Sequence, residues 1–290
     1  MSASFAAAAL VGAILSGTSL LYATLGELVG ERAGIVNLGL EGIMLIGAAV
    51  GFAATSLTGD PYLGIAAAAL AGVVGNMLFG YVVITRHANQ LAAGLTLLFL
   101  GFGASALVGR PFIGAIITGL PRYGGFDALV WLAVPTALLL YWLLFRTRWG
   151  LAVRAVGEDP AAVFATGRRP ELLQYQALAV AGLLGGIGGA HLSVALTLSW
   201  DEGMTAGRGF IAIALVIFAK WNPLWAVVGA LTFGGAESLQ LALQASGADV
   251  SPFLMNMIPY LLTLVVLVFW GLKRRSAAPA ALGRTFFGVE

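Results

Sequence analysis

Apolar residues fill nine long runs of this chain, and short polar stretches punctuate them. The runs are roughly 5–27, 35–57, 61–84, 90–110, 128–145, 173–197, 209–220, 222–244 and 253–272. Runs of about 20 apolar residues match the roughly 30 Å hydrocarbon layer of a bilayer. The pattern therefore predicts an all-α, polytopic transmembrane bundle of about nine segments. The run at 209–220 is short enough to enter and turn back, which sets the expected range at about eight to ten crossings. The first run lacks the positive flank of a secretory signal and reads as a retained helix.

Polar residues inside or beside these runs carry the next layer of information. The stretch GERAGIVNLGLEGIML, residues 30–45, sets Glu31, Arg32, Asn37 and Glu41 among glycines, with Glu27 just before it. Glu41 falls about one and a half turns into the second segment, and a pair with Arg32 would neutralise one carboxylate. Glu237 lies about two-thirds along segment 222–244, and at 100° per residue it shares a face with Gln240 and Gln244. Ionisable groups inside a membrane segment mark a lined pathway or a buried pair; for Glu237 both readings stand. Asn76 and Asn256 are pathway groups or interhelical hydrogen bonds. Arginine beside glycine opens both the second segment and segment 209–220, from opposite sides; this suits an inverted repeat, and chance accounts for it equally well.

Between the fifth and sixth runs, RAVGEDPAAVFATG (residues 154–167) predicts a short capped helix. Asp159 suits the N-cap, Pro160 the first helical position and Gly167 the exit with positive φ. Its apolar Phe164 fits either the membrane interface or a soluble partner.

Charge orients the segments. Arg146, Arg148, Arg154, Arg168 and Arg169 share one loop, Lys273, Arg274, Arg275 and Arg284 the tail, and Arg86 and Lys220 mark two more turns. The positive-inside rule places these in the cytoplasm, the amino end outside and the carboxyl end inside. The opposite loops then hold Asp60, Asp127, Asp201, Glu202 and Asp249. The expected organisation is one transmembrane domain, 1–275, with a cytoplasmic loop at 150–172, and a cytoplasmic tail, 276–290.

Composition narrows the function class. Charged residues are 10% of 290, against about 25% in soluble domains, and mean hydropathy is +0.95. Glycine is abundant, 40 residues, without a collagen period, which suits close helix packing. Cysteine is absent, so no disulfide or thiolate chemistry arises. A net charge of +2 spread over short clusters gives no nucleic-acid surface. P-loop, HExxH and G-x-S-x-G motifs are absent, and His87 and His191 make no metal set. GLLGGIGGA, residues 182–190, sits in a membrane run and not in a strand–helix unit, so it reads as packing. No catalytic residue, metal or cofactor is expected in this chain.

TLGELVGERAGIVNLGLEGIMLIGA, Thr24 to Ala48, resembles the amino-terminal signature of inner-membrane permeases of bacterial ABC importers. The narrower resemblance is to permeases for simple sugars and nucleosides, related to those for ribose and branched-chain amino acids. RAVGEDPAAVFATG, GRGFIAIALVIFAKWNPLWAVVGALTFGGAESLQ and MIPYLLTLVVLVFW extend it over nearly the whole chain. The resemblance implies a core of two homologous permease chains, a cytoplasmic ABC ATPase that binds ATP and Mg2+, and an extracytoplasmic substrate-binding protein, in the bacterial inner membrane. It makes Gly157, Glu158, Asp159, Pro160, Ala161, Ala162 and Phe164 the loop that couples to the ATPase. It makes Asn37, Glu41, Asn76, Phe210, Glu237, Gln240 and Asn256 candidates for the translocation pathway. The implied solute is a nucleoside, nucleobase or simple sugar. A vitamin, an amino acid or a proton-coupled secondary transporter is the alternative.

Overall fold

The computed structural model describes residues 3–245, the positions Met257, Leu261, Leu264, Val265 and Val268, and residues 278–284. The chain is an all-α bundle: α1 (Ala3–Arg32), α2 (Leu40–Thr58), α3 (Pro61–Gly80), α4 (Gln90–Gly109), α5 (Ala128–Arg146), α6 (Arg148–Glu158), α7 (Pro160–Ala165), α8 (Pro170–Ala190), α9 (Arg208–Phe218) and α10 (Pro223–Ala245). π-helical turns extend α3 over Tyr81–Thr85 and α8 over His191–Leu196. Among the described residues, seven helices are long and apolar enough to cross a membrane, and α9 is a shorter apolar helix. Eight of the nine apolar runs are thus helices. The ninth, 253–272, lies largely outside the described residues, so what is established is seven spans and one short helix.

Local chemistry starts and stops these elements. Asp60 accepts from the Tyr62 N–H ahead of Pro61, and Asn89 accepts from the Ala92 N–H at the head of α4. Gly124 and Gly125, both at positive φ, turn a two-stranded hairpin, Arg122–Tyr123 against Phe126–Asp127. Asp127 then caps α5, accepting from Leu129 and Val130 N–H through Oδ1. Its Oδ2 faces His191 Nε2 at 3.5 Å, with both side chains buried. Burial alone would raise the Asp127 carboxyl, but His191 and the two capping N–H groups outweigh it and hold the group below the usual carboxylate range.

Helix α8 is the centre of the bundle, packed by α1, α2 and α3. Small residues set that spacing. A Cβ at Gly72 of α3 would stand 2.1 Å from the Gly182 carbonyl oxygen, and one at Gly182 would stand 2.3 Å from that of Gly72. One turn on, a Cβ at Gly186 would stand 2.2 Å from the Ala68 carbonyl oxygen, and one at Gly47 of α2 would stand 2.4 Å from that of Gly186. GLLGGIGGA is therefore a packing surface, as its context predicted. The glycines matter here because lipid supplies no hydrophobic drive for helices to associate, and backbone proximity replaces it.

The loop expected after α5 is more regular than its sequence suggested. It holds α6 before the short α7, with Ala152, Val153 and Val156 buried and Leu151 exposed. Thr147 caps α6, accepting from the Gly150 N–H.

Candidate functional site

Helix α9 has 11 residues, about 16 Å at 1.5 Å per residue, half the thickness of a bilayer core. Its carboxyl end lies at the foot of α1: Trp221 Nε1–H donates to Glu31 Oε2 at 2.6 Å, and Arg32 Nε–H donates to the Trp221 carbonyl at 3.0 Å. Its amino end lies deep in the bundle. Ala212 packs with Ala23 of α1, Leu40 and Met44 of α2, and Leu192. Ala23 is nine residues before Arg32, about 14 Å along the helix. Residues 197–207, turns without a helix, lead down to that point; Trp200 at their upper end is buried against Gly109 of α4. Residues 197–218 therefore form one interrupted path through the bundle, irregular in one half and helical in the other. Irregular backbone at such depth is tolerated only where protein or water satisfies it, and turn bonds such as Ala206 N–H to Gly203 O supply part of that. The short 209–220 run is the helical half of this path through the bundle.

Glu41 satisfies the break. Its Oε1 accepts from Thr205 Oγ1–H at 2.6 Å and Gly207 N–H at 2.7 Å, and its Oε2 accepts from Gly209 N–H at 2.6 Å. A carboxylate at a helix amino end is favoured both by the free N–H groups and by the helix dipole. Glu41 is thus the cap of α9, supplied from α2, and Arg32 is not its partner. Arg32 instead sits over the Phe145 ring, as does Arg154 from the other side of the sequence.

Arg208, the first residue of α9, pairs with Glu237 of α10, and both side chains are partly exposed. Glu237 faces away from the exposed stripe of α10 formed by Val228, Leu231 and Leu239. Gln240 is buried on α10, and Phe210 is exposed on α9. Asn37 and Asn76 bond to each other: Asn37 Nδ2–H donates to Asn76 Oδ1 at 2.9 Å. Asn76 also donates to the Leu178 carbonyl, and the Asn37 N–H donates to Glu27 Oε1. This buried chain ties α1, the turn before α2, α3 and α8 together. Asn256 lies outside the described residues. In the sequence Arg208 stands out only as an arginine beside glycine at a segment start and not as a pathway residue, because such a charge carries no mark of its partner.

At the Arg32 end, the predicted short helix is α7. Asp159 Oδ1 accepts from Ala161 and Ala162 N–H, Pro160 is its first residue, and Gly167 follows it at φ +79°. Val163 is buried, while Phe164 projects outward. Helices α6 and α7 enclose an open groove of about 690 Å³ lined by Leu151, Ala155, Glu158, Ala162 and Thr166 among others, with Arg148 and Arg168 on its rim. No cluster of His, Cys, Asp or Glu that could hold a metal occurs among the described residues.

Residues 9–268 match the family described as branched-chain amino acid transport system, permease component. Three relatives are similar over almost the full length. The "Putative glucose ABC transporter permease protein TsgC13" of Haloferax volcanii is 35% identical, over 98% of each chain. The guanosine ABC transporter permease protein NupQ of Bacillus subtilis is 32% identical over 91% of each. The nucleoside ABC transporter permease protein NupC of Lactococcus lactis is 31% identical over 93% of each.

Proposed function

Given that this chain belongs to the family of branched-chain amino acid transport system permease components, we propose that it forms half of the translocation path of an ATP-driven importer for an uncharged polar solute, a nucleoside or simple sugar. The carrying observation is the break in the 197–218 path. Transporters use the positive amino end of a broken helix to hold an anionic substrate group. Here that end is already filled by Glu41, and the adjacent cation, Arg208, is matched by Glu237. Little charge remains at this depth for the carboxylate or ammonium of an amino acid. The partly exposed Arg208–Glu237 pair and the exposed ring of Phe210, on the same helix as Arg208, fit a solute with hydroxyls and a flat or apolar face. The guanosine, nucleoside and glucose permeases to which the chain is similar support the same solute class.

In this reading the Arg32 end faces the cytoplasm. The groove between α6 and α7 receives the ABC ATPase through Gly157, Glu158, Asp159, Pro160, Ala161, Ala162 and Phe164. A second permease chain completes the path, and a binding protein outside delivers the solute. ATP and Mg2+ belong to the ATPase.

Reconstitution of the permease pair with its ATPase and binding protein in proteoliposomes tests this. ATP-dependent uptake of guanosine or glucose, with leucine excluded, is the expected result. Leucine uptake would overturn the solute class. Uptake by this chain alone, driven by a pH gradient without ATP, would replace the importer with a secondary transporter.

A further inference from the structure

Residues 278–284 return to the body of the protein and make four hydrogen bonds with three separate elements. The Ala281 N–H donates to the Gly157 carbonyl at 2.8 Å, and the Ala280 N–H to Glu158 Oε2 at 3.2 Å, both at the end of α6. The Gly283 N–H donates to the Gly34 carbonyl at 3.1 Å, in the turn between α1 and α2. Gln90 Nε2–H, at the head of α4, donates to the Arg284 carbonyl at 3.3 Å, while its Oε1 accepts from the Val36 N–H at 2.9 Å. Pro279 and Ala281 are buried, and Ala278 and Leu282 pack on the main core.

These contacts converge on the ends of the helices. The last carbonyls of a helix have no partner inside it, and the strap satisfies that of Gly157 from outside. Gly157 itself leaves no room: a Cβ there would stand 2.2 Å from the Arg32 carbonyl and 3.2 Å from Pro279. The end of α6, the end of α1 and the turn into α2 are thus held as one block with the strap laid across them. That turn carries Asn37, and Glu41 follows it.

We propose that residues 278–284 are a positioning strap that transmits displacement of the α6–α7 elbow to the turn bearing Asn37 and through it to Glu41 at the head of α2, and so links the ATPase to the passage. The inference rests on the importer reading above. Its chemistry is that of backbone N–H groups meeting fixed acceptors, with Ala281 buried beneath and the side chains of Glu158 and Gln90 reaching to it from the body. Movement of the elbow that kept these bonds would drag Gly34, and movement that broke them would leave the Gly157 and Gly34 carbonyls without these partners.

The test uses the assembled complex in inside-out vesicles. The chain has no cysteine, so an Ala281→Cys variant reports strap docking through its rate of labelling by a charged maleimide. Labelling should run on the order of tenfold slower than at an exposed Arg86→Cys control; an equal rate overturns the proposal. Deleting 278–290 should leave ATP hydrolysis running while uptake falls about tenfold, since the link and not the motor is lost. Uptake at the full-length rate overturns the proposal. If the truncated chain fails to assemble, the Ala281→Cys rate alone decides. Absence of ATP-driven uptake by the intact complex would strike the importer reading itself, whereas uptake indifferent to the truncation strikes only the strap.

Discussion

Glu41 Oε2 accepts a hydrogen bond from the Gly209 N–H at 2.6 Å, and a Cβ at 209 would stand only 2.5 Å from the Glu41 backbone nitrogen and Cα. The two residues are 168 positions apart, yet each requires the other. The carboxylate must reach the amino end of α9, and only glycine lets α2 come that close.

Replacing either should therefore lower stability by different routes. Gly209→Ala forces backbone apart and should cost about 1–3 kcal/mol. Glu41→Gln keeps the shape but turns an amide N–H toward a backbone donor, for a similar about 1–3 kcal/mol. Thermal unfolding in detergent, followed by tryptophan fluorescence, should show a lower midpoint for both. A wild-type midpoint in Glu41→Gln would show that the cap does not depend on charge.

Glu237→Gln should impair passage more than folding. It leaves Arg208 charged and unmatched in a partly exposed position, where solvent softens the penalty to roughly 1 kcal/mol. Initial uptake of guanosine or glucose should fall at least several-fold, and the exchange Arg208→Glu with Glu237→Arg should recover part of it. Unchanged uptake in Glu237→Gln would remove the ion pair from the path.

Asp127 gives a pH signature. Its folded carboxyl is held below the usual value near 3.9, so its stabilising contribution is complete above that value and is lost as pH falls through the lower folded one. Asp127→Asn retains a capping side chain but removes the charge facing His191. The gap in unfolding midpoint between wild type and Asp127→Asn should stay constant from pH 8 to about pH 5 and narrow in stronger acid. Asp127→Ala should lose about 1 kcal/mol more, because the cap goes as well.

Phe164→Asp addresses the elbow. Phe164 projects from α7 while Val163 anchors the helix, so the substitution alters the outward surface and leaves folding intact. ATP hydrolysis should continue while uptake falls by an order of magnitude, consistent with loss of a contact worth about 1.4 kcal/mol or more. Coupled uptake at the wild-type rate in a normally assembled complex would remove Phe164 from the ATPase contact.

Much of this architecture was legible as pattern. Continuous apolar runs located eight helices to within a few residues, and Asp159-Pro160 announced α7 because capping is written in adjacent residues. Helix α6 escaped notice because it has only 11 residues, and Arg148, Arg154 and Glu158 with two glycines break up its apolar positions, so no membrane-length run forms. The polar residues were conspicuous, but their partners were not. Glu41 meets backbone N–H groups of Gly207 and Gly209, and Ala281 meets a backbone carbonyl; main-chain atoms are common to every residue type and leave no trace in the alphabet. In the sequence Arg32 is a candidate partner for a nearby carboxylate, but it and Glu31 each bond a different part of Trp221.

The glycine contacts among α2, α3 and α8 bear on where this protein can move. Two helices separated by less than a methyl group cannot slide or roll without collision, so Gly47, Gly72, Gly182 and Gly186 weld these three into a chassis. Helix α5 is seated otherwise, on Leu129, Ala133, Ala137, Leu140 and Leu144, a greased track of aliphatic side chains that can change rotamer. Among the described residues, α5 and the irregular stretch 197–207 are thus the places least bound to this frame, where an alternation between open and closed faces would meet the least resistance.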